Sequence, residues 1–289
     1  YVIRELIQNA LDEDITLLKL SANWYKGIAV FVIEDNCQTG FRDLRDAYTL
    51  FRDCYKRPDP TKRGRFNIGE KQAFAICEEA IIETTKGTVI FNKTGRHQRK
   101  EVREIGTKVI IKIKMKQEEY NEVLKGIDKI IIPENIDFYF QDRLQSKNNA
   151  IKEFETNLLT EYLKEDRMIR TNRNTTICLY QSDETYLYEM GIPICKIDCQ
   201  WSINVNQRIP MSIDRDTVSE AYLQDLYAEI LNQTYQEVPE EEISKTWVRM
   251  ATSDDRISKE AVKTVITKRY GEKAVIANPA DLISIDRAI

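Results

Sequence analysis

Two apolar spacings alternate along this chain. Near its start Ile3, Leu6, Ile7 and Ala10 recur every three or four residues, the period of a helix with one packed face. The pattern predicts a helix over 1–24. Ile28-Ala29-Val30-Phe31-Val32-Ile33 is then an unbroken, β-branched run, which predicts a strand over 28–35 buried on both faces. Helices are predicted over 42–55 and 70–80. A strand follows from Thr88 to Phe91, with a turn at Asn92-Lys93-Thr94-Gly95 leading into a strand pair that ends near Met115.

Beyond that point the pattern starts afresh. Gln117 to Lys125 reads as a helix or linker, and Ile130 to Asn135 as a strand end. Short strands are expected at Asn172–Tyr180 and Thr185–Tyr188, and a longer one from Ile192 to Val205. A long helix from Val218 to about Gln236 carries Tyr222, Leu223, Leu226, Tyr227, Ile230 and Leu231 on its apolar side, and Pro239 breaks it. Small helices are expected over 254–270 and 279–289. With 289 residues, two domains are the default. The expected fold is α+β: a two-layer sandwich over 1–116, with a mixed sheet and helices on one face, then a smaller α/β unit over 117–238 and a helical segment over 239–289.

The polar positions add chemistry. On the first helix Glu5, Asn9 and Asp12 fall within roughly 60° of one another, opposite the apolar stripe. A carboxylate can orient a water and accept its proton, and an amide oxygen is a hard ligand suited to Mg²⁺. The alternative is a solvated acidic face. The buried strand ends in Glu34-Asp35-Asn36-Cys37-Gln38-Thr39-Gly40, where Asp35 can accept from an exocyclic amine such as that of adenine, or simply end the strand in a turn. In Gly64-Arg65-Phe66-Asn67-Ile68-Gly69-Glu70-Lys71 two glycines open a helix, a setting that favours an anion at the helix N-terminus. The run lacks both the P-loop and the dinucleotide fingerprint. Finally, Gly106-Thr107 opens a strand expected over Ile105–Ile113.

Taken in order, these four pieces resemble the GHKL ATPase superfamily, which holds DNA gyrase B, the ninety-kilodalton heat-shock chaperones, histidine kinases and MutL. The family's helix motif Glu-x-x-x-Asn-x-x-Asp is matched by Glu5, Asn9 and Asp12. Its strand-end motif is matched in part: Asp35 and Gly40 are present, Cys37 replaces a glycine and the turn is one residue longer. Gly64 and Gly69 match the glycine-rich segment, with Asn67 where a glycine is common. Asn tolerates positive φ better than most residues. Gly106 and Thr107 match the late Gly-Thr strand.

The resemblance implies a Bergerat-type ATP site. Glu5 would be the general base, Asn9 the Mg²⁺ ligand, and Asp12 a residue near the ribose and phosphates or a support for the helix. Asp35 would read adenine with Thr107 beside it, with Gly40 in the same turn. Gly64, Asn67, Ile68, Gly69, Glu70 and Lys71 would wrap the triphosphate. The second unit resembles the transducer domain of gyrase B, MutL and the chaperones, and in Asn204 to Pro210 the basic residue sent to the γ-phosphate would be Arg208, or else Arg215. The expected activity is slow, Mg-dependent ATP hydrolysis used as a conformational switch, with closure of a segment over the nucleotide, docking of the second unit and nucleotide-dependent pairing of two copies. The alternatives are a nucleotide-binding scaffold with little turnover and a histidine-kinase-type phosphotransferase.

Charge and cysteines narrow the class. A net charge of −4 gives no general electrostatic case for nucleic acid, so a DNA or protein client is left open. Between 52 and 65 stand Arg52, Lys56, Arg57, Lys62, Arg63 and Arg65 against two acids, which predicts either a solvated loop or a mobile basic cover for a triphosphate. No apolar stretch approaches 18 residues, so no membrane span is expected. Cys37, Cys54, Cys77, Cys178, Cys195 and Cys199 lack paired spacing, and His97 is the single histidine. Reduced thiols in a cytoplasmic protein are the expectation, not zinc and not a His-dependent triad. Cys195 and Cys199 are expected on one face of a single strand. Tyr1 falls inside the predicted helix and no initiator Met precedes it, so the chain reads as a fragment.

Overall fold

The computed structural model describes residues 2–41, 43–49, 56, 58–64, 74–165, 167–211 and 217–272. The chain forms two mixed sheets, each with its own hydrophobic core and its own helices.

Helix α1 (Val2–Leu11) is less than half as long as its apolar pattern predicts, because the chain tightens at Asp12-Glu13-Asp14 and re-emerges as strand β1 (Leu17–Tyr25). In β1 the buried residues Leu18, Leu20 and Ala22 alternate with Lys19, Ser21 and Asn23, so the period is two, not 3.6. Strand β2 (Ile28–Asp35) follows through Lys26-Gly27, both at positive φ. It is fully buried on one face and half-buried on the other. Of the helix expected over 42–55, only a single 3₁₀ turn, Leu44–Ala47, lies among the described residues, capped by the Asp43 side chain. Residues 50–55 and 65–73 lie outside them, and the helix expected over 70–80 has ended by Cys77.

Strands β3 (Glu79–Thr84), β4 (Gly87–Asn92), β5 (Gly95–Arg99) and β6 (Lys108–Lys114) complete most of the first sheet. After α2 (Gln117–Asp128) the chain returns to it as β7 (Asp137–Phe140) and β8 (Arg143–Leu144). The order is β5-β4-β3-β6-β2-β1-β7-β8, with β1–β7 parallel and the other pairs antiparallel. The sheet thus takes in residues past 116. α1 and α2 supply side chains to the same core, where Phe31 of β2 meets Tyr120 of α2.

The second sheet begins with a strand the pattern did not reveal, β9 (Lys152–Lys164), paired along its length with β10 (Arg167–Tyr180). The segment expected as one strand over 192–205 is two, β12 (Ile192–Lys196) and β13 (Ser202–Val205), after β11 (Tyr186–Glu189). The break puts Cys199 off the strand that carries Cys195. The order is β12-β11-β13-β10-β9. Helices α3 (Glu220–Thr234), α4 (Glu240–Ile243), α5 (Thr246–Thr252) and α6 (Lys259–Tyr270) follow. Trp247 of α5 anchors the second core, edge-on to Trp201 and Tyr227 at 6.1 Å each. The helix expected over 279–289 lies outside the described residues. Among the described residues no helix is long and apolar enough to cross a membrane.

The β11–β12 turn joins the halves. Ile192 is buried in the first core, and the Ile131 N–H donates to the Gly191 carbonyl at 2.9 Å. Gly191 has φ +87°, and a Cβ there would stand 2.0 Å from the Ile131 oxygen, so the turn accepts only glycine.

Candidate functional site

The carboxylates of α1 do not form a solvated face. Glu5 is 5% exposed and Asp12 1%, with Asn9 half-buried between them. Burying carboxylates is costly unless they are partnered. Asp12 sits just past the end of α1 and gathers the segment 58–64. Its Oδ1 accepts the Arg63 N–H at 2.8 Å and its Oδ2 the Gly64 N–H at 2.7 Å. The Arg63 guanidinium approaches Oδ1 at 3.3 Å and the Lys56 ammonium approaches Oδ2 at 3.9 Å.

Three of the six basic side chains of this stretch lie among the described residues beside α1, and they turn away from solvent. Lys56 donates to the Asn9 carbonyl at 3.4 Å, Lys62 to the Asp12 carbonyl, and Arg63 to the Leu11 carbonyl at 3.1 Å. These carbonyls belong to the last turn of α1 and the residue after it, which have no intrahelical partner and form the negative end of the helix dipole. Lys56 also pairs with Glu13 at 2.7 Å. The described part of the segment is therefore an anchored strap. For Lys56, Lys62 and Arg63, the charge that a basic cover would turn toward a triphosphate is matched here by the helix end and two acids.

At the other end, Asp35 closes β2 in a buried turn. Its carboxylate is 9% exposed, and Oδ1 accepts the N–H groups of Cys37 at 2.9 Å and Thr107 at 3.1 Å. Among the described residues Oδ2 accepts no hydrogen bond. Burial lifts the carboxyl to about 6, against the two N–H bonds that favour its charged form. Gly106 makes this packing possible: its φ is +75°, and a Cβ would stand 1.9 Å from the Asp35 carbonyl oxygen. Thr107 is buried beside it. Gly40, at φ +55°, faces Thr85 so closely that a Cβ would meet its Oγ1 at 2.7 Å. Cys37 is buried with φ outside the positive region, so the backbone has no need for a glycine there.

Gly64 donates to Asp12 and accepts from Arg208 at 2.6 Å. Asn67, Ile68, Gly69, Glu70 and Lys71 lie outside the described residues, as does Arg215. Arg208 is 1% exposed, and its guanidinium donates to the carbonyls of Lys62 and Lys56, both at 2.7 Å, as well as to that of Gly64. The structure thus sets it behind the strap, on peptide oxygens.

Three further residues shape the site without a sequence signal that singles them out. The Asn36 amide oxygen accepts the N–H groups of Thr16 and Leu17, both at 3.0 Å, and fixes the start of β1 against the end of β2. Arg103 pairs with Glu34 beside Asp35 at 2.5 Å. Arg63, one cation among six in sequence, is buried across the two halves, donating to the Met190 carbonyl at 3.0 and 2.6 Å. His97, by contrast, stands on the exposed strand β5.

Comparisons with known proteins add little beyond this geometry. No protein-family model matches the chain, and no curated protein matches it in sequence. Among solved structures it is similar to the ATPase region of Saccharomyces cerevisiae topoisomerase II bound to ICRF-187 (dexrazoxane), at 10% identity and a TM-score of 0.46, over 82% of this chain and 68% of that one.

Proposed function

We propose that the chain is a GHKL-type ATPase that binds ATP with Mg²⁺ and hydrolyses it slowly as a conformational switch. The observation that carries this reading is Asp35. A buried carboxylate with one oxygen held by two N–H groups and the other open is a poor way to end a strand and a good way to accept a hydrogen bond from an exocyclic amine. It lies in sequence order between the buried Glu5–Asn9–Asp12 helix and the Gly106-Thr107 strand, as the family resemblance requires.

In this reading Asp35 recognises adenine N6, with Thr107 and Gly40 lining the same turn. Glu5 accepts the proton of the attacking water. The Asn9 amide oxygen would supply a hard ligand to Mg²⁺. The metal would neutralise charge on the phosphates when bound. Asp12 supports the strap leading to Gly64, and Asn67, Ile68, Gly69, Glu70 and Lys71 wrap the triphosphate. Arg208 acts from the second sheet. Closure, docking of the second half and pairing of two copies would then follow the nucleotide.

Incubation with Mg²⁺ and γ-labelled ATP tests the activity. Released phosphate supports the ATPase; bound, intact ATP supports a scaffold with little turnover; labelled protein supports a phosphotransferase. Absence of binding refutes all three.

A further inference from the structure

We infer that Arg63 and Arg208 are positioning residues that tie the 58–64 strap to the second sheet in opposite directions and make it the link between the α1 site and that sheet. The inference rests on the nucleotide reading above. The two side chains run in opposite directions. Arg63 starts on the strap and reaches the second sheet, giving two N–H groups to the Met190 carbonyl and one to that of Leu11. Arg208 starts on the loop after β13 and reaches back, holding the carbonyls of Lys56, Lys62 and Gly64. Its own N–H donates to the Pro60 carbonyl at 2.9 Å.

The two clasps close a circuit. The Met190 N–H donates to the Val205 carbonyl at 2.8 Å, and the Gly191 N–H to the Asn204 side chain at 2.7 Å. Both acceptors lie on β13, the strand that delivers Arg208. The carbonyl gripped by Arg63 and the guanidinium that grips the strap are therefore fixed to one piece of backbone. A guanidinium presents its donors in a planar fork, so it holds several carbonyls at set spacings, which an ammonium cannot do. Gly64 heads the glycine segment that would meet the triphosphate. Displacing it must either break the Arg208 bonds or move β13 and the β11–β12 turn with it.

Hydrogen exchange read by mass spectrometry on the full chain tests this, with and without Mg²⁺ and a non-hydrolysable ATP analogue, in wild type, Arg63→Lys, Arg208→Lys and Arg208→Met. In wild type the analogue is expected to slow exchange in α1 and around Asp35–Gly40, and also at 186–196 and 203–209. With the analogue raised until α1 is saturated in each protein, so that any loss of affinity is offset, the variants should show the first response and lose the second. Without nucleotide, Arg208→Met should speed exchange over 58–64 by about tenfold or more, the loss expected of a charge-assisted bond. If Arg208→Met does not fold, the wild-type response and the two Lys variants decide. Slowing in α1 and at Asp35 without any change in the second sheet overturns the clasp and leaves the nucleotide reading intact. Lys variants that respond like wild type also overturn it, since charge alone would then suffice. No slowing anywhere overturns the nucleotide reading, and the clasp as a nucleotide link with it.

Discussion

Asp35→Asn should make the empty protein more stable at neutral pH and a worse binder of ATP. Burial raises the Asp35 carboxyl from an ordinary 3.8 to about 6. Its largest cause is desolvation, so the charged form is the costly one. Between those two values the folded state holds the proton more tightly than the unfolded state, and wild-type stability from this group falls as pH rises through the window. Above about pH 6 the penalty is complete, at about 3 kcal/mol for a change of this size. Asparagine cannot ionise. Its amide oxygen still accepts from Cys37 and Thr107, while its buried NH₂ costs about 1–3 kcal/mol if unpaired. That cost does not depend on pH. Relative to wild type, the variant should therefore gain about 2 kcal/mol between pH 4.5 and pH 7, whatever its absolute stability.

Urea unfolding at the two pH values, read as the difference between variant and wild type, isolates this term from every other titrating group. The same substitution presents a donor where the exocyclic amine of adenine also donates. ATP affinity measured by calorimetry should fall about ten- to hundredfold, and the preference for ATP over GTP should narrow. In wild type, affinity should decline as pH drops below about 6 and the carboxyl takes up its proton. A stability difference that is flat with pH would refute the desolvation argument, and unchanged ATP affinity would refute Asp35 as the adenine reader.

Three other substitutions probe separate parts of the site. Glu5→Gln should keep ATP binding and reduce hydrolysis by about 10²–10⁴-fold, measured as phosphate release; a wild-type rate would remove Glu5 from the base role. Asp12→Ala strips the strap of two N–H acceptors and leaves Arg63 buried without its carboxylate, so a loss of about 3–5 kcal/mol is expected, together with new trypsin cleavage at Lys62 and Arg63; intact resistance to trypsin would contradict the anchored strap. Gly106→Ala places a methyl group 1.9 Å from the Asp35 oxygen, whereas Gly95→Ala meets nothing within 4 Å although both have positive φ. Gly95→Ala should cost about 1 kcal/mol and Gly106→Ala distinctly more, with ATP binding lost only in the latter; equal melting temperatures would argue against the close packing of Gly106 on β2.

The elements legible in the sequence are those set by local pattern. β2, β4 with its turn, α2 and α3 fall near their expected bounds because runs, turn residues and helical spacing agree there. The apolar pattern runs the first helix too far because Leu11, Ile15 and Leu18, four and three apart, continue a helical spacing, and the acidic turn at 12–14 carries no glycine or proline to mark it. β9 does alternate, with Phe154, Leu158, Thr160 and Tyr162 two or four residues apart, but threonine and the intervening acids mask it as polar chain. β7 is four residues long, and all four pair with β1 in parallel. That pairing is a long-range fact, and it carries the first sheet past residue 116, where the pattern of elements starts afresh.

The site shows the same division between what a residue type permits and where its charge is spent. Six basic residues before a glycine segment read as a counter-charge for phosphates. Yet Lys56, Lys62 and Arg63 find a different negative partner, the carbonyl end of α1 together with Asp12 and Glu13, and Arg208 arrives on peptide oxygens of the same strap. A helix end and a triphosphate make the same electrostatic demand, and sequence cannot tell which will meet a given cation. The choice has a consequence for the proposed switch. Cations committed to α1 hold Glu5, Asn9 and the strap in one frame before any nucleotide arrives. The frame then lowers the ordering cost of binding, and it leaves recognition of the phosphates to backbone and to residues beyond Gly64. On that logic, loosening the strap through Asp12 should weaken ATP and ADP alike, since what is lost is preorganisation of the helix and not a contact to the γ-phosphate.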